Sequence, residues 1–595
     1  MSELKVRPLL ERDFSARYSF RGFVGARIAA NQQHWLLVAP DSNPAMLQML
    51  RDRDREPVRD LVPWAGEFAG KYLTSAVQCY RLTRDHELRE YVARFVRDLL
   101  ATQDEDGYLG AFPRAYRLSG RTIKPDGTET LTWDAWNHYH CMLGLLLWHD
   151  ETGEYAALHA CLKIADLFCR TFLDTGERLV QTGSEEMNLA PIHAFCLLYE
   201  KTGIPRYLRM AREIERDFEV SPAGDYVRTA LAGIGFHATP KPRWESLHDI
   251  QGIAELYLIT AEDHYLRAFE HIWRSIQRGD RHNTGGFSSG EKATGNPYDP
   301  GAIETCCTVA WLALSIDMLR LTGLSTVADE LELSTLNGLL GAQSPSGRWW
   351  TYNTPMDGVR RASGHDIVFQ AREGSPELNC CSVNGPRGLG MLSDWAIMRR
   401  QGDDAVVLNY YGPSASAVRL PSAATLRLVQ ETDYPRDGKV LLRVQLERPE
   451  RFALALRVPD WSTDTVAAVN GERIGEVRSG TYLTLEREWR DGDEVCLDLD
   501  FSPRMWRGER EAAGKASIYR GPLLLAYDQR LNSIDPDKLL PITSLGLDGT
   551  DEDIEAGPRP LLVVAAETES GTLFLCDYAS AGVAGNPYRT WLPVR

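Results

Sequence analysis

The stretch YEKTGIPRYLRMA (199–211) is one of five versions of a phrase that recurs through the N-terminal two thirds of the chain. The others are YRLTRDHELREYV (80–92), HDETGEYAAL (149–158), LITAEDHYLRAF (258–269) and LRLTGLSTVADEL (319–331). In each, an apolar stretch with helical spacing reaches a Thr, then Gly, Arg or Ala, and a second apolar-periodic stretch follows. A glycine at this point suits a left-handed helix C-cap. Each phrase therefore predicts a hairpin of two helices.

The arrangement of these hairpins favours a closed barrel over an open solenoid. Their spacing is irregular and long inserts occur at 281–303 and 343–380, whereas solenoid repeats are usually uniform. The stretch 388–400 supplies a sixth unit. We therefore expect residues 1–402 to form an (α/α)6 barrel, with the inserts on one face as the walls of a pocket.

From residue 403 the pattern changes to strands. KVLLRVQLE (439–447) and FALALRVPDW (452–461) have strand character, and RDG (436–438) and VNG (469–471) are hairpin-type turns. Residues 403–595 are therefore predicted to be an antiparallel β-sandwich region, as one piece or two sub-domains. Roughly the first 15 residues are candidates for pairing with it. The expected fold class is multidomain α plus β, an (α/α)6 barrel followed by β-sandwich domains.

The overall charge disfavours two classes of partner. Lys and Arg number 66 against 83 Asp and Glu, a formal net charge of −17, which is unsuited to nucleic acid or to an anionic membrane surface. The N-terminal segment lacks the apolar core of a secretory signal, and no uninterrupted apolar run approaches the ~18 residues of a membrane span. We expect a cytoplasmic protein without nucleic-acid or membrane partners. A homodimer is compatible with these features.

Three cysteines and a glutamate form the most distinctive chemical pattern. Glu304 and Cys306 stand in an ETC motif, and Cys380 and Cys381 form a CC pair. Thiolates and a carboxylate, four ligands in all, are a donor set that Zn²⁺ prefers. The two motifs lie far apart in the chain, so only folding would assemble such a site. Glu291 precedes the ETC motif and is a second carboxylate for proton transfer.

Other interpretations of these cysteines stay open. The chain has 11 cysteines, and free cysteine is among the most buried residue types, so packing alone accounts for several of them. Cys307 directly follows Cys306 and is an alternative ligand. An odd number of cysteines in a reducing compartment indicates free thiols or metal ligands rather than a disulfide framework.

Motifs along almost the whole chain resemble glycoside hydrolase family 127, the β-L-arabinofuranosidase family, and its close relatives of the same clan. Besides ETC and CC, these motifs are WAGEFAGKYL (64–73), QDEDGYLG (103–110), GSEEMN (183–188), HDIQ (248–251), GGFSSGE (285–291), TLNGLLGAQSPSG (335–347), DYPRDG (433–438), LRVPDW (456–461), GTYLTLEREWRDGD (480–493) and YRGPLLLAY (519–527). Each motif is weak alone, but their order and the domain layout make the resemblance specific.

The resemblance implies the chemistry as well as the barrel-and-sandwich architecture. It implies zinc held by Glu304, Cys306, Cys380 and Cys381, with Cys380 as the nucleophile and Glu291 as the acid/base of a retaining mechanism. The expected function is that of a zinc-dependent retaining exo-glycosidase acting on a small oligosaccharide or glycoside. The barrel would then be the catalytic domain.

The sugar-binding positions are less clearly recognisable. The candidates are His138 or His140 in WNHYH, Glu186 and Asn188 in GSEEMN, and His248 and Gln251 in HDIQ. Each of these residues has an alternative role as a hydrogen-bonded residue of the core.

Two other classes of function compete with a glycosidase. Sugar epimerases and polysaccharide lyases also use (α/α) barrels, and fold alone does not choose among them. They would use His or Tyr as a base and would not need ETC together with CC. A non-catalytic carbohydrate-binding protein with a structural zinc is the third class, since a closed site of four protein ligands is a structural type. A carboxylate from Glu291 facing Cys380 would distinguish the enzyme from that class.

Overall fold

The computed structural model describes residues 4–362, 378–548 and 558–595. At the centre of its helical part, six helices stand side by side and are buried along most of their length. These inner helices are Glu67–Thr83, Asp134–Thr152, Pro191–Thr202, Ser246–Thr260, Thr305–Thr322 and Cys380–Gly390. Each packs against the next, and the last packs against the first, which closes the ring. The predicted (α/α)6 barrel is confirmed.

An outer layer of helices covers this ring. These outer helices are His86–Leu100, Tyr155–Phe172, Pro205–Asp217, Asp263–Gly279 and Ser325–Leu333. They are amphipathic and bury one apolar face, whereas the inner helices are buried on nearly every side. The inner helix Thr305–Thr322 is long and apolar enough to cross a membrane, yet 83% of it is buried inside the protein. It is therefore a core helix here.

The repeated Thr is the last residue of each of the first five inner helices. In the unit at 199–211, the Thr202 hydroxyl donates to Leu198 O (2.7 Å) and accepts from the Ile204 N–H (3.3 Å). The same pair of bonds recurs at Thr83, Thr152, Thr260 and Thr322. The residue after the Thr has a left-handed backbone in every unit. The phrase is thus a helix stop in which a hydroxyl satisfies backbone groups that the helix end leaves unpaired.

The sixth unit differs from its prediction at 388–400. Its inner helix is Cys380–Gly390, a short helix Leu392–Trp395 follows, and Ile397–Arg400 is a strand. The chain does not turn back into an outer helix here because Ile397–Arg400 pairs with the N-terminal strand Leu10–Arg12 and enters the β region. Of the predicted insert 343–380, residues 363–377 lie outside the described residues.

Two sheets form a sandwich around one apolar core. The strands of the first sheet are, in spatial order, Leu10–Arg12, Ile397–Arg400, Val406–Leu408, Glu450–Val458 and Thr481–Trp489. The strands of the second are Glu472–Arg473, Val466–Val469, Glu494–Asp498, Lys439–Gln445, Thr425–Thr432, Ser414–Arg419 and Arg17–Phe20. The N-terminal strands Leu10–Arg12 and Arg17–Phe20 thus belong to the β region.

The strand Glu450–Val458 joins the sandwich to the barrel. Its pairing with Val406–Leu408 is parallel, an exception among otherwise antiparallel pairs in these two sheets. Leu454 faces the sandwich core and Ala455 the barrel core, so the strand is buried on both faces. Its Arg457, fully buried, bonds to Asp329 and Glu332 of the barrel. A buried guanidinium needs such paired carboxylates.

A third sheet is formed mainly by the C-terminal part of the chain and contacts the barrel. Its main strands are Arg504–Arg507, Lys515–Arg520, Leu523–Asp528, Gly571–Asp577, Val563–Thr568 and Ile542–Asp548, with Pro587–Arg589, Leu592–Pro593 and Gly358–Val359 at its margin. The Asn337 side chain binds the backbone of Pro522 and Leu524 (3.0 and 2.8 Å). The Asn283 amide donates to Ser517 Oγ (2.7 Å). These contacts fix the sheet on the segment Ser334–Leu339 and on the loop that begins the insert at 281–303.

Candidate active site

The four predicted ligands meet at the N-terminal ends of two inner helices. Glu304 is the N-cap of Thr305–Thr322, and Cys306 lies in the first turn of that helix. Cys380 and Cys381 open the helix Cys380–Gly390, whose start is fixed by a capping box at the preceding asparagine. Because the inner helices adjoin, residues 76 positions apart come together. The positive ends of both helix dipoles favour anions here.

The geometry of the four ligand atoms suits a tetrahedral zinc site. All four atoms lie within 4.8 Å of one another and all four residues are buried. Glu304 Oε1 is 3.3 Å from Cys381 Sγ and 3.6 Å from Cys380 Sγ, and the two sulfurs are 3.9 Å apart. Zn–S bonds of about 2.3 Å and a Zn–O bond of about 2.1 Å place sulfurs about 3.8 Å apart and sulfur and oxygen about 3.6 Å apart. The residues present therefore fit the metal.

Burial and mutual contact also shift the pKa values of this cluster. Burial, together with Cys380, raises the pKa of Glu304 well above its usual value, and burial does the same for Cys381. The hydrogen bond with Cys306 raises the pKa of Cys380 to about 12. Burial acts against ionisation of Cys306 too, but its hydrogen bonds with Cys380 and Cys381 outweigh burial and lower its pKa to about 6. One anion forms readily, and further anions require a cation.

Cys307 lies beside the cluster but outside the group of four. Its sulfur is 3.7 Å from Glu304 Oε2, the oxygen that does not face Cys380 and Cys381. Burial raises the pKa of its thiol well above the usual value. Ser288 Oγ lies 3.9 Å from the same sulfur. Cys307 thus contacts the oxygen of Glu304 that does not face Cys380 and Cys381.

Tyr352 links the candidate nucleophile to the candidate acid/base, and sequence analysis did not find it. The Cys380 thiol lies 3.5 Å from the Tyr352 hydroxyl, which donates to Glu291 Oε1 at 3.3 Å. Burial, and then the nearby Cys380, raise the pKa of Tyr352, so it keeps its proton. The nearest signal was its place just before Asn353–Thr354, the strand that pairs with Ile303–Glu304.

Glu291 is held by an arginine that sequence analysis also missed. Arg243 donates to Glu291 Oε2 at 2.8 Å and forms a two-pronged pair with Glu245 (3.0 and 2.8 Å). The backbone of Glu291 has a left-handed φ of 69°, which surrounding structure must enforce for a non-glycine residue. A bond from Trp244 N to Glu291 O (3.2 Å) contributes to this. The side chain is 29% exposed, so a ligand can reach it.

Two of the predicted sugar-binding histidines have a free nitrogen. His140 and His248 are buried with ring centroids 5.5 Å apart, and both rings contact Trp136 edge-on. The Nδ1 of His248 bonds to the Tyr139 hydroxyl at 2.7 Å, and within the described part of the chain Nε2 of neither histidine has a hydrogen-bond partner. Burial lowers the pKa of both rings well below the usual value, so both are neutral. A neutral imidazole nitrogen suits a sugar hydroxyl.

The other predicted sugar-binding residues are engaged with the protein. His138 Nδ1 bonds to Asp134 O (2.8 Å) and Nε2 accepts from Leu109 N (3.0 Å), which leaves no ring nitrogen for a ligand. The remaining three each have protein partners: Asn188 bonds to Thr132 O, Gly183 O and Trp136 N, Gln251 to Asp317, and Glu186 pairs with Lys241. They position the chain around the site.

A buried ion pair that sequence analysis did not assign lies beside these rings. Lys71 Nζ is 2.9 Å from Glu67 Oε2, and both side chains are 1% exposed. The ammonium lies 5.3 Å and 5.0 Å from the rings of Trp136 and Trp244. Burial opposes the charge, but Glu67, Cys306 and Cys380 outweigh it and raise the pKa of Lys71. The signal was the Glu–Lys pair four residues apart in an otherwise apolar helix.

A thiol-rich centre near a carboxylate, inside an (α/α)6 barrel joined to a β-sandwich, is the arrangement that the expected glycoside hydrolase requires. The chain belongs to glycoside hydrolase family 127. Residues 29–394 match the family model described as "Beta-L-arabinofuranosidase, GH127 catalytic domain". Residues 405–501 match the "GH127 middle domain" of the same enzymes. The resemblance drawn from the motifs is thereby confirmed.

The similarity to solved structures covers nearly the whole chain. A GH127 β-arabinofuranosidase has a TM-score of 0.79 at 20% identity, covering 99% of this chain and 98% of its own. A GH127 β-L-arabinofuranosidase from Geobacillus stearothermophilus T6 has a TM-score of 0.76 at 19% identity, covering 97% and 100%. At such identity these structures show the fold alone. Among curated proteins, none matches this chain.

Proposed function

We propose that this glycoside hydrolase is a zinc-dependent retaining exo-glycosidase that releases β-L-arabinofuranose from a small oligosaccharide or glycoside in the cytoplasm. The observation that carries the proposal is the chain of contacts from Cys380 through the Tyr352 hydroxyl to Glu291. These contacts of 3.5 and 3.3 Å place a thiol and a carboxyl on the same hydroxyl, close enough for a nucleophile and an acid/base to act on one glycosidic bond.

Glu304, Cys306, Cys380 and Cys381 would hold the metal. Bound zinc would supply the positive charge that keeps these sulfurs as thiolates near neutral pH. The helix N-termini beneath Glu304 and Cys380 support the same anions. The buried ammonium of Lys71 adds a fixed positive charge close by. Cys380 is thus kept as a nucleophile and held in one position.

The reaction cycle uses two residues, Cys380 as the nucleophile and Glu291 first as the acid and then as the base. The Cys380 thiolate attacks the anomeric carbon while Glu291, protonated, gives its proton to the leaving oxygen, so that a C–S bond forms and the C–O bond breaks. Glu291, now a carboxylate, takes a proton from water, whose oxygen then displaces Cys380 from the anomeric carbon. Two inversions give net retention, and both residues return to their starting states.

Tyr352 positions both reacting groups. Its hydroxyl accepts from the Cys380 thiol and donates to Glu291, so a proton passed along this chain leaves a thiolate on Cys380 and an acid on Glu291. That is the pair of protonation states from which the first step starts. Arg243 fixes the other carboxylate oxygen of Glu291 and directs the carboxyl toward Tyr352.

His140 and His248 would recognise the sugar hydroxyls. Each has one unpartnered Nε2, and the rings of Trp136 and Trp244 pack beside them. Burial keeps the imidazoles neutral, so each nitrogen can donate to or accept from a hydroxyl without a charge being buried. A compact, mostly aromatic wall with two polar points suits a single furanose ring.

The test is product stereochemistry on a matched pair of substrates. The enzyme purified without chelator is given 4-nitrophenyl β-L-arabinofuranoside and its α anomer, and the first-formed anomer of arabinose is followed by NMR. We expect hydrolysis of the β anomer with retained configuration. An inverted product, or preference for the α anomer, contradicts the proposal. Hydrolysis of neither would refute the assignment of arabinofuranose as the sugar that this glycoside hydrolase releases.

A further inference from the structure

A cavity of about 370 Å³ lies where the barrel meets both β regions. Gln277 and Arg281 line it from the end of the outer helix Asp263–Gly279 and the turn after it. The outer helix Ser325–Leu333 and its end contribute Thr326, Asp329, Glu330, Glu332 and Leu333 to the lining. Asp460 and Trp461 come from the sandwich, and residues 504–506 from the third sheet. This size is within the range of small-molecule sites, and none of the four cysteine-cluster ligands lines the cavity.

The apolar walls of the cavity are indoles held in place by arginines. The guanidinium of Arg281 lies 5.3 Å from the ring of Trp506, and that of Arg504 lies 5.2 Å from the ring of Trp461. Met505, between these walls, is 45% exposed. Large apolar side chains at a junction between domains are an exception to ordinary surface composition, and aromatic ones are typical of ligand sites.

Apart from Arg281 Nε and Glu330 Oε2, which form an ion pair at 2.9 Å, two buried polar atoms of the lining have no partner among the described residues, one acceptor and one donor. Glu332 is 2% exposed, and its Oε2 has no hydrogen-bond partner, although its other oxygen binds Arg457 at 2.6 Å. The Nε of Arg504 is also buried without a partner. A buried polar atom without a partner is costly, and a ligand that bonds to it removes the cost. A hydroxyl group both donates and accepts, so it complements these two atoms.

The charges of the lining restrict the ligand further. Four carboxylates, those of Asp329, Glu330, Glu332 and Asp460, stand against the guanidiniums of Arg281 and Arg504. This balance disfavours an anion, and so many charged groups disfavour a lipid. We propose that this cavity is a second carbohydrate-binding site that takes a neutral saccharide, separate from the catalytic site. The inference goes beyond the proposed function, and its test needs no catalytic turnover.

The test uses Met505 as a reporter inside the cavity. The full chain is labelled with ¹³C-methyl methionine, and the Met505 methyl signal is assigned with Met505→Leu. The neutral probes are L-arabinose and arabinotriose, with glucuronate as the anionic comparator and glucosamine as the cationic one. We expect a saturable shift of the Met505 signal with arabinotriose and none with glucuronate.

Three variants complete the experiment. Trp506→Ala should raise the dissociation constant for arabinotriose about tenfold or more, as the loss of a buried aromatic contact does. Asp460→Asn keeps the shape of an exposed lining residue and should weaken binding as well. This variant replaces Trp506→Ala in the experiment if Trp506→Ala does not fold. Tyr155→Ala removes an exposed aromatic of an outer helix that does not line the cavity, and it should leave the affinity unchanged.

The outcomes against the proposal are equally definite. A Met505 signal that no neutral saccharide moves overturns it. So does a shift that persists with unchanged affinity in both Trp506→Ala and Asp460→Asn, because the saccharide would then be bound elsewhere. A response to glucosamine alone would mean that the cavity selects cations rather than sugars.

Discussion

Replacing Tyr352 with Phe tests the contact chain on which the proposed mechanism depends. The variant keeps the aromatic ring, which is 6% exposed, and removes only the hydroxyl. The contact at 3.5 Å with Cys380 Sγ and the contact at 3.3 Å with Glu291 Oε1 are lost. The cluster of four ligands does not include Tyr352, so the metal content should not change.

The expected loss follows from these distances. A hydrogen bond to a charged group contributes about 1.5–3 kcal/mol, and about 1.4 kcal/mol corresponds to a factor of ten. The contact with Glu291 is long for an O–H···O hydrogen bond and the thiol of Cys380 is a weak donor, which places the loss toward the lower end, about a 10–30-fold fall in kcat/KM. The assay is hydrolysis of an aryl β-L-arabinofuranoside, with zinc content and thermal midpoint measured on the same preparation.

Tyr207→Phe is the matched control. Its hydroxyl also donates to a carboxylate, Asp166 Oδ1 at 2.8 Å, but on the outer helix Pro205–Asp217. We expect it to keep the parent kcat/KM, whatever it does to stability. If Tyr352→Phe also keeps the parent kcat/KM, the chain from Cys380 to Glu291 has no catalytic role. If it loses zinc in proportion to activity, Tyr352 supports the metal site rather than the reacting groups.

Three further predictions concern the residues of the centre. Elemental analysis of protein purified without chelator should find one zinc per chain, lost in Cys306→Ser and kept in Cys307→Ala; full activity in metal-free protein would refute the metal's role. Glu291→Gln should lower kcat about 10²–10⁴-fold on an alkyl glycoside and less on an aryl glycoside, whose leaving group needs little protonation; equal losses in pre-steady-state rates would assign Glu291 to binding or structure. A sugar-mimicking electrophile should label Cys380 and not Cys381, because only one of two adjacent side chains can face the anomeric carbon. Peptide mapping by mass spectrometry locates the label. A label on Cys381 would exclude Cys380 as the nucleophile.

Motifs with several adjacent functional residues could be predicted from the sequence, and isolated ones could not. ETC and CC predicted Glu304, Cys306, Cys380 and Cys381 as one metal-ligand set, because thiolates with a carboxylate are donors that zinc prefers, and the fold brings these four residues into one buried cluster. Tyr352 and Arg243 act from segments with no comparable pattern. The contacts of Tyr352 with Cys380 and Glu291 exist only because the strand Asn353–Thr354 pairs beside Glu304.

The histidines are a second case in which the sequence does not decide which residue can reach a ligand. His138 and His140 are two residues apart in WNHYH on one buried helix, and the letters do not distinguish them. A two-residue step on a helix turns the side chain by more than half a turn. His138 therefore meets the backbone of Leu109, while His140 meets the ring of His248. Which of the two is available to a sugar depends on the neighbouring segments.

The sequence by itself determined the architecture of this protein. Helix stops at five repeated threonines and strand patterns after residue 403 are local signals, since each satisfies the backbone groups of its own segment. Only the tertiary structure decided which polar atoms face one another: Tyr352 between Cys380 and Glu291, Lys71 between two indoles, and the unpartnered oxygen of Glu332 in the junction cavity. Such contacts depend on how distant segments pack, because hydrogen bonds and ion pairs act only over a few ångströms.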